Sequence, residues 1–253
     1  VPPADTKKAL SLDDFAAFLV AIYREGVEAV VIGGCAVGAY GRLVGEVVFS
    51  DDLDVLVAET ALEPTLAAAH KIGARVLKRP RPRSVPVALL KWQGKEVNVL
   101  TAAAALAPAE TEIELAREFH LKGSEGAAIL VVDPFELLRD KLACNRPKDQ
   151  PHIPILLRFL QEEVVHAWEG DEQPRRRLAP ARRLLETTGE ERLTEGLADR
   201  LIRTARTGPE LRFLVQRAPA SRVASVAARA SALGLDTEIG PLLGARRSTR
   251  KQK

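Results

Sequence analysis

Residues 30–57 read VVIGGCAVGAYGRLVGEVVFSDDLDVLV. An apolar run stops at Gly33 and Gly34, a segment of small residues follows, and a second apolar run carries acids at alternate positions, Asp52 and Asp54. A strand points residues i and i+2 to one face, so Asp52 and Asp54 project together while Leu53, Val55 and Val57 face the other way. Asp51 then faces away from both and reads as a surface residue. Adjacent carboxylates repel unless a cation lies between them. Hard oxygen donors without neighbouring His or Cys favour magnesium, manganese or calcium over zinc. The glycines point the same way, because a residue without Cβ lets backbone N–H groups approach a phosphate. A glycine turn followed by paired acids therefore suggests a metal-bound nucleotide.

Outward from this stretch, Ser11-Leu12-Asp13-Asp14 before Phe15, Phe18, Leu19 and Ile22 predicts a capped amphipathic helix ending before Gly26. Strands are expected at residues 28–32 and 53–58, with helices at 34–40 and 62–72. Residues 85–92 and 95–100 are β-rich runs joined by Gln93-Gly94, a two-residue hairpin signal. A short strand at 127–132 leads to Asp133-Pro134, a cap followed by proline at the first helical position, opening a helix to about Cys144. From Pro154 onward the pattern is helical, with an acidic, proline-bearing break at residues 169–174. Three or four short arginine-studded helices are expected over 175–233, and residues 246–253 read as a basic frayed tail. Strands mixed with helices first and helices alone afterwards argue for an α+β fold with a helical, basic C-terminal region. The domain boundaries expected are 1–170 and 171–253.

A chain of 253 residues, 46% hydrophobic, can bury one large core or two modest ones. The longest apolar stretches, residues 29–40 and 85–90, are too short or too glycine-broken to span a bilayer, and no charged-then-apolar segment opens the sequence. Cys35 and Cys144 offer neither a disulfide framework nor a zinc spacing, and the expectation is a cytoplasmic protein without a membrane segment. The net charge of +3 divides unevenly, residues 1–170 carrying −5 and residues 171–253 carrying +8. Of the 18 cations in the second part, 16 are arginine. Such a region meets a polyanion or merely covers solvated helix faces. Lys78-Arg79-Pro80-Arg81-Pro82-Arg83 is likewise either a phosphate-contacting loop or an exposed connector. The four histidines show no ligand spacing and read as surface or satisfied core.

Gly33-Gly34, then Ser50-Asp51-Asp52-Leu53-Asp54, then a later strand bearing Asn98, resembles the core of the polymerase-β-like nucleotidyltransferase superfamily. Residues 133–149, DPFELLRDKLACNRPKD, resemble the helix and loop of its AbiEii-type toxin branch and of related uncharacterised bacterial nucleotidyltransferases. There a helix lysine, matched by Lys141, precedes a segment matched by Arg146, Lys148 and Asp149. The resemblance covers roughly residues 12–165 and implies a mixed sheet with flanking helices. It further implies magnesium- or manganese-dependent transfer of a nucleoside monophosphate from an NTP to an acceptor hydroxyl. A tRNA end or other RNA is an acceptor, and an antitoxin protein a partner, in that branch.

By the same resemblance Asp52 and Asp54 hold the metal and are catalytic, while Gly33, Gly34, Ser50, Lys141 and Asp149 serve the nucleotide. Ser50 as a strand-start turn residue is the alternative, as is a purely structural pairing of Lys148 with Asp149. The pattern is broken where a third carboxylate is expected, since Val97-Asn98-Val99 offers an amide that can coordinate but cannot take a proton. Glu96 lies on the same strand face and either supplies that charge or marks an exposed strand start. The arginine expected before the acid pair is also missing, with Val48 in its place and Arg42 as the substitute at hand. Two further readings stand beside a toxin-like enzyme: a catalytically weakened nucleotide- or RNA-binding protein, favoured by Asn98, and a small-molecule nucleotidyltransferase of the antibiotic kind.

Overall fold

The computed structural model describes residues 9–80, 87–124 and 126–250, with side chains to residue 246. At the Ser11 signal the Asp14 carboxylate closes the cap, accepting from the Ser11 amide at 2.8 Å and its hydroxyl at 2.9 Å. This starts a short 3-10 turn, Leu12–Phe15, that continues as α1, Ala16–Arg24. There follow β1 (Ala29–Ile32), α2 (Gly33–Leu43), β2 (Asp52–Val57), α3 (Leu62–Lys71), β3 (Arg75–Lys78), β4 (Val87–Trp92) and β5 (Lys95–Leu100). Then come α4 (Ala109–Leu115), β6 (Arg117–His120), β7 (Ala128–Val131), α5 (Pro134–Cys144) and α6 (His152–Glu169). The fold is α+β, a mixed sheet with flanking helices followed by helices alone, as the sequence predicts.

The seven strands lie in the order β3-β4-β5-β2-β1-β7-β6. β2 is antiparallel to β1 and parallel to β5, and β1 is parallel to β7. Val55, Leu56 and Val57 are all buried, so both faces of the sheet centre are covered. The β4–β5 hairpin turns where expected, Gln93 and Gly94 both taking positive φ (49° and 78°), the conformation a tight two-residue turn requires. Asp133 caps α5, its Oδ1 accepting from the Phe135 amide at 2.9 Å.

Three elements had no clear sequence signal: β3, α4 and β6. Both strands lie at sheet edges, and β3 is mostly exposed, so neither carries a buried apolar alternation to read. Within the basic loop, Lys78 ends β3 and Arg79 pairs with Glu63, while Arg81, Pro82 and Arg83 fall outside the described residues, as do Val85 and Pro86 of the expected strand.

By contacts the chain forms two compact units, residues 1–159 and 160–253. The division falls inside α6, and the break read at residues 169–174 lies between the end of α6 and the start of the next helix. One segment of α6 packs Phe159 on Tyr40, ring centroids 4.8 Å apart, and a later one packs Trp168 against Phe213 at 6.0 Å. The second unit contains α7 (Pro174–Thr188), α8 (Glu195–Thr204), α9 (Gly208–Arg217), α10 (Val223–Ala232) and α11 (Asp236–Arg250). The frayed tail expected from residue 246 is therefore helix as far as Arg250. Arg246 donates to the Val215 and Ala218 carbonyls, which anchors it. Among the described residues no helix is long and apolar enough to cross a membrane.

Candidate active site

Sheet register assembles the site. Ile32, the last residue of β1, pairs with Asp54, so the chain turns at Gly33 directly beside that carboxylate. On the other side of β2, Asp52 stands in register with Glu96 and Asp54 with Asn98. Asn98 Nδ2 donates to Asp52 Oδ2 at 3.0 Å and to Asp54 Oδ1 at 2.8 Å, so one carboxamide bridges both acids. Burial, then the charge of Asp52, raises the Asp54 carboxyl above its ordinary value. The Asn98 hydrogen bond and the charges of Lys148 and Lys141 oppose that rise. Ser50 Oγ donates to Asp52 Oδ1 at 3.3 Å, and its backbone is held by reciprocal bonds to Leu10. Glu96 and Asp51 are exposed.

The glycines meet a packing requirement that spacing alone does not reveal. A Cβ on Gly33, whose φ is +70°, would stand 2.2 Å from Asp54 Oδ2, and one on Gly34 would stand 2.7 Å from Ser50 Oγ. The turn is thus packed directly against the side chains of Asp54 and Ser50. Gly33→Ala is expected to cost about 1–2 kcal/mol for the left-handed backbone and, beyond that, whatever displacing Asp54 requires. Gly26→Ala is the control, since Gly26 has φ +76° with nothing within 4 Å of its Cβ position. Urea denaturation of both variants isolates the second term, and equal losses would mean that Asp54 yields freely.

Cys35, in the first turn of α2, lies beneath the pair with its thiol donating to the Asp52 carbonyl at 3.3 Å; burial and then the charges of Asp54 and Asp52 push that thiol well up. Lys141 is 2% exposed, and its Nζ lies 2.9 Å from Oδ1 of the fully buried Asp149. Arg146 Nε binds the other oxygen of Asp149 at 2.6 Å. Burial alone would raise the Asp149 carboxyl, but the hydrogen bonds from Arg146 and Lys141 outweigh it and hold the group at about 2. Arg42, the substitute arginine, is engaged by Asp13 at 2.9 Å. His152 borders the site, its Cε1 3.9 Å from the position a Gly34 Cβ would take. No motif in the sequence marks Cys35 or His152 for this site, and only proximity in space does.

Among the described residues no cluster of three or more His, Cys, Asp or Glu side chains is assembled. The protein oxygens on offer to a cation are those of Asp52, Asp54 and Asn98. They suit magnesium, which commonly takes one or two carboxylates and completes its shell with water and substrate phosphates.

In the second unit, at least eight of the sixteen arginines are committed within the protein. Arg177 is buried against Glu210 at 2.9 Å, Arg200 grips Glu162 at 2.6 and 2.7 Å, and Arg222 meets Asp199 at 2.6 Å. Arg206, Arg217, Arg229 and Arg246 donate to backbone carbonyls, and Arg212 to Glu238. A groove of about 990 Å³ along α7 and α9 is lined by Arg175, Arg182, Arg212 and Arg217 but also by Glu186, Glu190 and Glu191, so it is mixed in charge.

No protein-family model matches the chain, and no curated protein matches it in sequence. Among solved structures, the crystal structure of ANT(2")-Ia in complex with adenylyl-2"-tobramycin is similar over 67% of this chain and 98% of that one, at 16% identity and a TM-score of 0.41. The solution structure of the antibiotic-resistance factor ANT(2'')-Ia is similar over 70% of this chain and 88% of that one, at 15% identity and a TM-score of 0.42.

Proposed function

We propose that this protein is a divalent-metal-dependent nucleotidyltransferase that moves a nucleoside monophosphate from an NTP to an acceptor hydroxyl. The observation that carries the reading is the placement of Asp52 and Asp54 around a single carboxamide, packed against a glycine turn at the start of α2. Asp52 and Asp54 would hold magnesium or manganese, with Asn98 able to join through its carbonyl oxygen once the amide turns over. The metal, when bound, supplies positive charge to the phosphoryl oxygens. Amides at the start of α2 and the Ser50 hydroxyl receive the phosphates. The acceptor oxygen bonds to the α-phosphorus as the bond to the bridging oxygen breaks, and that electron pair leaves with pyrophosphate. The acceptor proton needs a base, and an amide is not one. Glu96, exposed and in register beside Asp52, is the carboxylate we assign to it.

The acceptor divides the reading. A tRNA end or other RNA, with an antitoxin protein as partner, follows the toxin-like resemblance. The net charge of +8 over residues 171–253 stays with that reading, while the internal contacts of at least eight arginines narrow the set of side chains that can turn to phosphates. The exposed carboxylate of Glu96, in register beside the acid pair, favours a small cationic acceptor instead. The test is incubation with each labelled NTP, magnesium or manganese, and either total RNA or a panel of small amino-alcohols. Label in RNA selects the first class and label in a small molecule the second. Asn98→Asp should raise transfer if Asn98 is a degraded third carboxylate. If Glu96 fills that role, Glu96→Gln should abolish transfer and Asn98→Asp should change it little. Equal inactivity of the native protein and Asn98→Asp with every NTP, metal and acceptor identifies a binding protein.

A further inference from the structure

His152 opens α6 with its ring between two environments. The Cε1 edge faces the glycine turn at Gly34, beside Ser50. Nδ1 is buried and has no hydrogen-bond partner among the described residues, with Asp149 Oδ1 4.0 Å away. A carboxylate can only accept, so Nδ1 gains a bond there only when it carries a proton. The charged groups facing the ring are Lys141 from α5 and Arg146, Lys148 and Asp149 from the loop before α6. Three cations oppose one carboxylate that already receives Lys141 and Arg146. Burial, then Lys141, keeps the imidazole below its ordinary value, so in the free protein it is neutral near pH 7.

We propose that His152 is a proton-coupled phosphate ligand: a polyphosphate entering beside Gly34 and Ser50 draws a proton onto the imidazole, which then donates to the phosphate from one nitrogen and toward Asp149 from the other. This rests on the nucleotidyltransferase reading, which places the triphosphate at the glycine turn. A multiply charged anion reverses the local balance, because the same cations that disfavour a charged imidazole are screened by the ligand they help to bind. Nucleotide affinity is then linked to proton uptake, a property the paired acids alone would not confer.

The experiment follows the imidazole directly in the native protein. With ¹³C-labelled histidine the chain gives four ring signals, and the one missing in His152→Gln is His152. Its titration midpoint should rise by about one pH unit or more on saturation with magnesium tripolyphosphate, and each unit corresponds to about tenfold in affinity between the two protonation states. Tripolyphosphate titrates in the same range, so affinity from pH 5.5 to 8 is compared between the native protein and His152→Gln, where the ligand's own protonation cancels. The native protein should show about tenfold more pH dependence. A midpoint that stays put at saturation overturns the inference and leaves the enzyme reading intact. A midpoint that rises while magnesium-dependent NTP binding survives Asp54→Ala upholds the anion ligand and overturns the enzyme reading. Absence of any saturable binding overturns both.

Discussion

Asp54→Asn is expected to lower nucleotidyl transfer by about a thousandfold, roughly 4 kcal/mol of transition-state stabilisation, while making the metal-free protein more stable. The first effect follows from removing one of the two carboxylates proposed to hold the metal. The second follows from the site's own electrostatics. Burial and the neighbouring Asp52 raise the Asp54 carboxyl, so the folded state binds its proton more tightly than the unfolded chain does. Stability therefore falls as pH rises through that interval, and the full cost is present above the folded-state value. Asparagine at this position carries no charge, and its carbonyl oxygen can still accept from Asn98. Thermal unfolding in EDTA at pH 8 should show a higher midpoint for the variant, about 2–4 °C for each kcal/mol recovered. The gain should shrink as pH falls through the raised folded-state value, where the native carboxyl protonates. A variant no more stable than the native protein at pH 8 would mean that Asp54 ionises there without cost.

Lys141→Met should destabilise the protein by about 3–5 kcal/mol, because it leaves Asp149 buried without its buried partner. That is a large share of the margin of about 5–15 kcal/mol on which such domains exist. Arg146 remains attached to Asp149 but is half exposed, so its attraction is better screened. The double variant Lys141→Met/Asp149→Leu should recover most of the loss, since replacing both partners removes the stranded charge along with the bond. Urea denaturation of the single and double variants at pH 7 measures both terms. In the native protein the Asp149 carboxyl is held at about 2 against an ordinary 3.8, so its contribution is complete above the ordinary value and lost as pH falls toward about 2. A single variant as stable as the native protein would show that Arg146 alone satisfies Asp149.

The buried pair gives Lys141 a structural contact beside the nucleotide role that the resemblance assigns to it. Its ammonium is spent on Asp149, while its charge still acts on Asp54 through space. A lysine on an amphipathic helix reads as solvated or ligand-directed, because nothing within a few residues marks the buried carboxylate that captures it. The arginines of the second unit carry the same lesson. A surplus of positive charge counted along the chain reads as a surface for polyanions, yet Arg177, Arg200, Arg206 and Arg222 tie the unit together internally.

Sequence by itself determined what depends on neighbours in the chain. The alternation that places Asp52 and Asp54 on one face follows from the pleat of a strand, whose period is two whatever lies around it. The Ser11 and Asp133 caps, the Gln93-Gly94 turn and the order of most elements follow from backbone groups satisfied within a few residues. Tertiary structure decided what lies opposite those groups. Asn98 bridges the acid pair, and Glu96 stands beside Asp52, only because β5 runs parallel to β2 in that register. A shift of one residue would turn Val97 or Val99 toward Asp54 instead. Gly33 had to lack a side chain because β1 delivers it against Asp54, and His152 meets the glycine turn because α5 and its following loop lead α6 back to that point. Those contacts join residues tens of positions apart, and the free energy that selects them comes from the packing of the whole sheet and its helices rather than from any local segment.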